Sequence, residues 1–217
     1  MRVSIHQCNF LPWLGFFDKI NSSDLFVLLD DVQVSKEGFV TRNKIRTPQG
    51  WTWITVPTDS KSGNINEVHA MTTPKWIRNT IQKIDSNYSD KRIKSIDAKH
   101  RLIKYLSAPS TSLAEFNIRI IKLLCKSTGI TTPIILSSDL NSGGSGSDRI
   151  LNICEDVGAD EYLSGIKGKE YLTLENFAHS GIKVVFQDFH HPTYTQLFPG
   201  FESNLSAIDK LLCTGEL

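Results

Sequence analysis

Residues 25–29, Leu-Phe-Val-Leu-Leu, form an unbroken apolar run closed by Asp24 on one side and by Asp30-Asp31 on the other. A strand with one wet face alternates apolar and polar residues. A short run that is apolar at every position belongs to a strand covered on both faces, which is the condition of a parallel sheet between helical layers. Upstream, residues 3–7 read as a first strand. Between the two, Leu11, Leu14, Phe17 and Ile20 recur at helical spacing, and Pro12 is tolerated early in such a helix. The opening is therefore strand, helix, strand: a parallel βαβ unit with a right-handed crossover.

The rest of the chain extends that unit. Residues 39–45 and 51–56 flank Thr47-Pro48-Gln49-Gly50 and read as a hairpin around a tight turn. Thr73-Pro74 starts a helix with Ile77, Ile81, Ile84 and Tyr88 on one stripe. Ser112-Leu113-Ala114-Glu115 has the spacing of a capping box, Phe116, Ile120, Ile121 and Leu124 follow it, and Gly129 stops that helix. Strands are then expected at 133–136, 161–163 and 183–186, with helices at 148–157 and 174–179. Ser206-Ala207-Ile208-Asp209 resembles a second capping box, ahead of Leu211-Leu212. The pattern predicts one α/β domain over residues 1–217: a Rossmann-like three-layer, mostly parallel sheet with a helical insert at about 73–128 and a small β-hairpin.

A chain of 217 residues buries one good core and is short for two domains. Its net charge of +1 gives no footprint for DNA or RNA, and Lys91-Arg92 with Lys94 reads as a solvated helix face. Met1-Arg2 runs straight into the first strand without an apolar leader, and no stretch is apolar for the length of a bilayer. Cys8, Cys125, Cys154 and Cys213 are scattered, with no CxxC pair for zinc or redox chemistry. Cys125 and Cys154 fall on apolar helical positions suited to buried free thiols. A soluble, cytoplasmic protein is expected, with no nucleic-acid partner, no membrane insertion and no metal site. Trp13, Trp51, Trp53 and Trp76 are expected in the core rather than as a stacking platform.

Ligands of open parallel sheets bind beyond the carboxyl ends of the strands. Three polar endings should meet there: His6-Gln7, Asp30-Asp31 with Gln33, and Ser137-Ser138-Asp139. Asp30-Asp31 can hold a hard cation or position an amine. Neighbours at a strand end point in opposite directions, however, so one carboxylate faces the site while the other caps a turn. Arg42 and Lys44 share a strand face and suit a phosphate or carboxylate, or equally a solvated outer surface. Residues 142–147, Ser-Gly-Gly-Ser-Gly-Ser, precede a helix and are either an anion site or a flexible loop, matching neither the P-loop nor the dinucleotide fingerprint. His190-His191-Pro192-Thr193-Tyr194-Thr195-Gln196 is the densest group of reactive side chains, and a histidine there serves as base, acid or structural residue. Cys8 is either a helix-assisted thiolate or a small buried residue. There is no GxSxG elbow.

Taken in order, Ile5-His6-Gln7, Leu11-Pro12-Trp13-Leu14-Gly15-Phe16-Phe17 and Phe26-Val27-Leu28-Leu29-Asp30-Asp31-Val32-Gln33 resemble the start of WbqC-like proteins. The likeness runs on through Arg42-Asn43-Lys44-Ile45, Trp53-Ile54-Thr55-Val56-Pro57, Ser137-Ser138 and Tyr162-Leu163-Ser164-Gly165. It closes with His191-Pro192-Thr193-Tyr194-Thr195-Gln196 and Leu205-Ser206-Ala207-Ile208-Asp209. One departure is Cys8, where the family pattern has proline, so the resemblance assigns that thiol no role. What the resemblance implies is a bacterial protein of O-antigen or capsule clusters, acting in lipopolysaccharide biosynthesis beside other enzymes of that assembly. For some members it implies transfer of an aminoacyl or acyl group, such as glycyl, to an amino sugar.

Carried onto this chain, the resemblance implies a nucleotide-linked amino sugar lying across the sheet rim. His6, Asp30, Asp31 and His191 are the candidates for proton transfer, and Gln7, Gln33, Arg42, Asn43, Lys44, Ser138, Tyr194 and Gln196 for binding substrate. The donor is an acyl or aminoacyl compound, with ATP as a candidate cofactor. A second reading is an ATP-dependent amide ligase of the nucleotidyltransferase type, by loose analogy with pantothenate synthetase, although the first turn carries only His6 where that group has paired histidines. A third is a non-catalytic ligand-binding or accessory protein for a partner transferase.

Overall fold

A computed structural model describes residues 1–34, 38–109 and 112–217. In chain order it contains β1 (Arg2–Gln7), α1 (Leu14–Asn21), β2 (Leu25–Leu29), β3 (Arg42–Thr47) and β4 (Gly50–Thr55). Three helices follow, α2 (Pro74–Asn87), α3 (Ile96–Leu106) and α4 (Leu113–Ser127). The chain ends with β5 (Ile134–Leu136), α5 (Gly146–Asp156), β6 (Glu161–Ser164), α6 (Leu174–His179), β7 (Lys183–Phe186) and α7 (Ile208–Thr214).

Five strands form one sheet in the order β5-β2-β1-β6-β7, with every pairing parallel, and β3 with β4 forms a separate antiparallel hairpin. The apolar run of β2 lies in the middle of its half, aligned from Val3↔Leu25 to Gln7↔Leu29 against β1 and from Phe26↔Ile134 to Leu28↔Leu136 against β5. Successive side chains leave opposite faces of a strand. Phe26 and Leu28 accordingly join a large core with α1, the hairpin, the three middle helices and α7. Val27, with Val3 and Ile5 of β1, enters a smaller core beneath α5 and α6. Both faces of the run are covered, and the fold is the expected three-layer α/β arrangement.

The helix starts follow local chemistry. Thr73 Oγ1 accepts from the Trp76 amide at 3.2 Å ahead of Pro74, and Ser112 Oγ from the Glu115 amide at 3.1 Å. Elsewhere the structure departs from the sequence expectation. Leu11 does not open α1; it is fully buried with φ of 44°, its carbonyl taken by Asn43 Nδ2 at 2.6 Å, and the helix starts only at Leu14. Asp209 caps nothing. It sits inside α7, fully buried, because three side-chain donors from other elements hold its carboxylate. None of the four tryptophans is fully buried, and Trp51 is 41% exposed. Trp51 and Trp53 pack edge to face, with Lys44 over the Trp51 ring and Arg42 over that of Trp53. Among the described residues, no helix is long and apolar enough to cross a membrane.

Candidate functional site

The carboxyl ends of β2 and β5 are joined by a compact polar cluster. Asp30 is buried, accepting from the Ser138 amide at 3.0 Å and Ser138 Oγ at 2.7 Å, so it caps the short 3-10 turn at Ser137–Asp139. Asp31 turns the other way. It pairs with Arg149 Nη2 at 2.5 Å, and Ser137 Oγ reaches both carboxylates. Arg149 stands in the first turn of α5 and also holds the Ser142 carbonyl, which ties the glycine-rich segment before α5 to the end of β2. Its Nε is buried without a hydrogen-bond partner among the described residues.

Beside this ion pair lies a cleft of about 440 Å³. Asp31, Gln33, Asn64 and Tyr171 line it, together with Gly144-Ser145-Gly146 at the start of α5 and Arg149. It presents a carboxylate, a guanidinium, the glycine-bearing backbone ahead of α5 and an exposed phenol. That set can seat an anion against Arg149 and that backbone while Asp31 accepts a proton from a neighbouring group.

His6 and Gln7 close β1 next to β2. The His6 ring packs edge-on against Phe16, and its Nδ1 lies 3.1 Å from the Gln7 carbonyl, an acceptor, which assigns the ring proton to Nδ1. Burial, with the charge of Lys19 as a second cause, pulls its pKa from 6.5 down to about 3, so the imidazole is neutral at ordinary pH. Lys19 was not singled out by sequence. It is only 3% exposed, its Nζ donates to the Ile5 carbonyl at 3.2 Å, and burial lowers its pKa from 10.5 to about 8. The available signal was a lysine set between Phe16, Phe17 and Ile20 on a helix that exposes only Asp18 and Asn21.

The other expected residues gather elsewhere. Asn43 is buried and gives its amide to the Leu11 and Phe10 carbonyls. Arg42 stacks 4.5 Å above the Trp53 ring and Lys44 3.9 Å above that of Trp51. Tyr194 and Gln196 belong to a network under the hairpin, in which Asp209 accepts from Tyr88 at 2.7 Å, Tyr194 at 2.8 Å and Gln196 at 3.0 Å. Arg46 completes it, donating to Gln196 at 3.1 Å and to the carbonyls of Thr47, Gly50 and Pro199. Burial raises the pKa of Asp209 and those of both tyrosines. His191 lies with this group, among Phe189, Tyr194 and Phe201, and is not among the residues lining the Asp31 cleft.

The structure thus brings Asp30, Asp31, Gln33 and Ser138 together and places Arg42, Asn43, Lys44, His191, Tyr194 and Gln196 around the hairpin. Arg149, Arg46 and Asp209 were missed because charge in a sequence does not reveal burial. Cys8 is fully buried and its thiol contacts the Leu29 carbonyl; burial, then Asp30 and Asp31, push its pKa up. Among the described residues, no group of three or more metal-ligating side chains comes together.

Comparison with known proteins adds a family. The chain matches the sequence model of the WbqC-like protein family over residues 7–217. It is 31% identical over 217 residues to a Mycobacterium tuberculosis (strain ATCC 25618 / H37Rv) protein named "Uncharacterized protein Rv1507c", spanning 99% of this chain and 94% of that one. No solved structure matches.

Proposed function

The chain belongs to the WbqC-like protein family, and from that premise we propose that it transfers an aminoacyl or acyl group to a nucleotide-linked amino sugar in bacterial surface-polysaccharide assembly. The observation that supports this most is the Asp31–Arg149 cleft, which sets a carboxylate beside a cation and glycine-bearing backbone at a strand-end rim. Arg149 and the Gly144–Gly146 amides suit the diphosphate of a sugar nucleotide. Asp31 then stands where the sugar amine would lie. An amine attacks only when neutral: its nitrogen forms a bond to the donor's carbonyl carbon, its proton passes to Asp31, and the donor's leaving group departs with the electron pair. Asp30, held by Ser138, keeps the strand end fixed while Asp31 works.

Thermal unfolding in the presence of sugar nucleotides tests the reading. A uridine-diphosphate-linked amino sugar at a hundred times its dissociation constant should stabilise the protein by about 2.7 kcal/mol. The Asp31→Asn variant should keep that binding and lose most amide formation, seen as the absent mass increase of the sugar once a donor is supplied. Stabilisation by ATP alone would move the reading to carboxylate activation. No response to any sugar nucleotide or to ATP would leave an accessory role and end the transferase proposal.

A further inference from the structure

The five-stranded sheet is least tied together where its winding reverses, between β1 and β6. These strands pair only at Arg2↔Glu161 and Val3↔Tyr162, although β1 continues to Gln7 and β6 to Ser164. Reversal points of open parallel sheets are where crevices form at the carboxyl edge. In this gap Ser4 Oγ donates to the Leu163 carbonyl at 3.1 Å, and Lys19 Nζ reaches across from α1 to the Ile5 carbonyl. Lys19 is almost wholly buried. Among the described residues no carboxylate lies within ion-pair distance of it, and the Ile5 carbonyl is its one hydrogen-bond acceptor. An ammonium has three N–H donors, and a buried charge without a counter-charge is costly unless something else supplies one.

Gly165 shows how that something would arrive. It directly follows β6, is half-buried, and has φ of −66° and ψ of 157°, a conformation open to any L-residue, so the backbone does not require glycine there. A Cβ at this position would lie 3.9 Å from Lys19 Nζ and, chain neighbours apart, within 4 Å of no other heavy atom. The missing side chain therefore leaves room beside the ammonium. We propose that the gap between β1 and β6 is an oxyanion subsite, where a carboxylate or phosphate oxygen enters over Gly165 and seats on Lys19 Nζ. It is separate from the Asp31 cleft and stands whether or not that cleft binds a sugar nucleotide.

Nuclear magnetic resonance titration of the whole chain with sodium acetate and, separately, inorganic phosphate tests this, read at the Gly165 amide and the Lys19 Cε methylene. Saturable shifts at both positions are expected with at least one probe. Acetate alone identifies a carboxylate ligand, phosphate alone a phosphate, and both a general oxyanion seat. Lys19→Met should abolish the Gly165 response. Gly165→Ala, which meets no steric obstacle, should weaken binding at least tenfold, and it decides the matter if Lys19→Met does not fold. No saturable shift with either probe, or an unchanged dissociation constant in Gly165→Ala, would overturn the subsite.

Discussion

His6 shows how far burial alone can move a side chain from its ordinary behaviour. In the unfolded chain it takes up a proton near pH 6.5, whereas in the fold it does so only near pH 3. Between those values the unfolded state binds more protons than the native state, so stability rises with pH across the window and is lost as pH falls through it. The slope from this one group is at most about 1.4 kcal/mol per pH unit. Urea unfolding of the wild type and of His6→Gln from pH 7 down to pH 4 should therefore converge on acidification, because the variant lacks the titrating ring. Parallel curves would show that the His6 ring is hydrated in solution and not held against Phe16. Lys19, three residues along α1 from that phenylalanine, is displaced in the same sense and for the same reason.

Among the elements, the segment after β1 is held from far along the chain. Asn43 of β3 donates to the Leu11 and Phe10 carbonyls, and Asn117 of α4 to those of Cys8 and Val40 at 2.7 and 2.8 Å. Two buried amides thus hold residues 8–11 in the non-helical path that delays α1 to Leu14. Asn43→Ala strands a buried carbonyl and should cost about 1–3 kcal/mol in urea unfolding. Unchanged stability with sugar-nucleotide binding lost would instead make Asn43 a ligand contact. These tethers mark the limit of what is legible in sequence. Period and capping reveal β1, β2, β7, α6 and the Thr73 and Ser112 helix starts, because they depend on residues close in the chain. The meeting of Asp30 with Ser138 was also legible, since a parallel sheet brings strand ends to one edge. Leu11's left-handed turn and the Tyr88 donor to Asp209 depend on partners tens of residues away, and local spacing carries no trace of them. Helix α3, inside the expected helical insert but not placed within it, packs Lys99 away from solvent, where its Nζ pairs with Asp85 and Asp90.

At the scale of the whole molecule, the question is whether the sheet rim and the hairpin work as one site or two. The larger core joins them physically: Phe26 and Leu28 of the sheet and Ile45 and Ile54 of the hairpin belong to one apolar cluster. Their polar groups nevertheless share no partner among the described residues. Arg149 contacts Asp31 and the Ser142 carbonyl, whereas Arg46 contacts Gln196 and the carbonyls of Thr47, Gly50 and residues 198–200. Groups without common contacts add in their effects, whereas members of one network do not. Replacing each arginine by methionine breaks a partly buried charged network and should destabilise the protein, by several kcal/mol at Arg46, where the aspartate beyond Gln196 is wholly enclosed. The double variant Arg46→Met/Arg149→Met should then lose the sum of the two single losses to within about 0.5 kcal/mol, measured by urea unfolding at one pH. An interaction energy well above that would mean the hairpin group and the Asp31 cleft are one coupled assembly. Residues such as Tyr194 and Gln196 would then reach the cleft through the core, and a ligand at the rim would be felt beneath the hairpin.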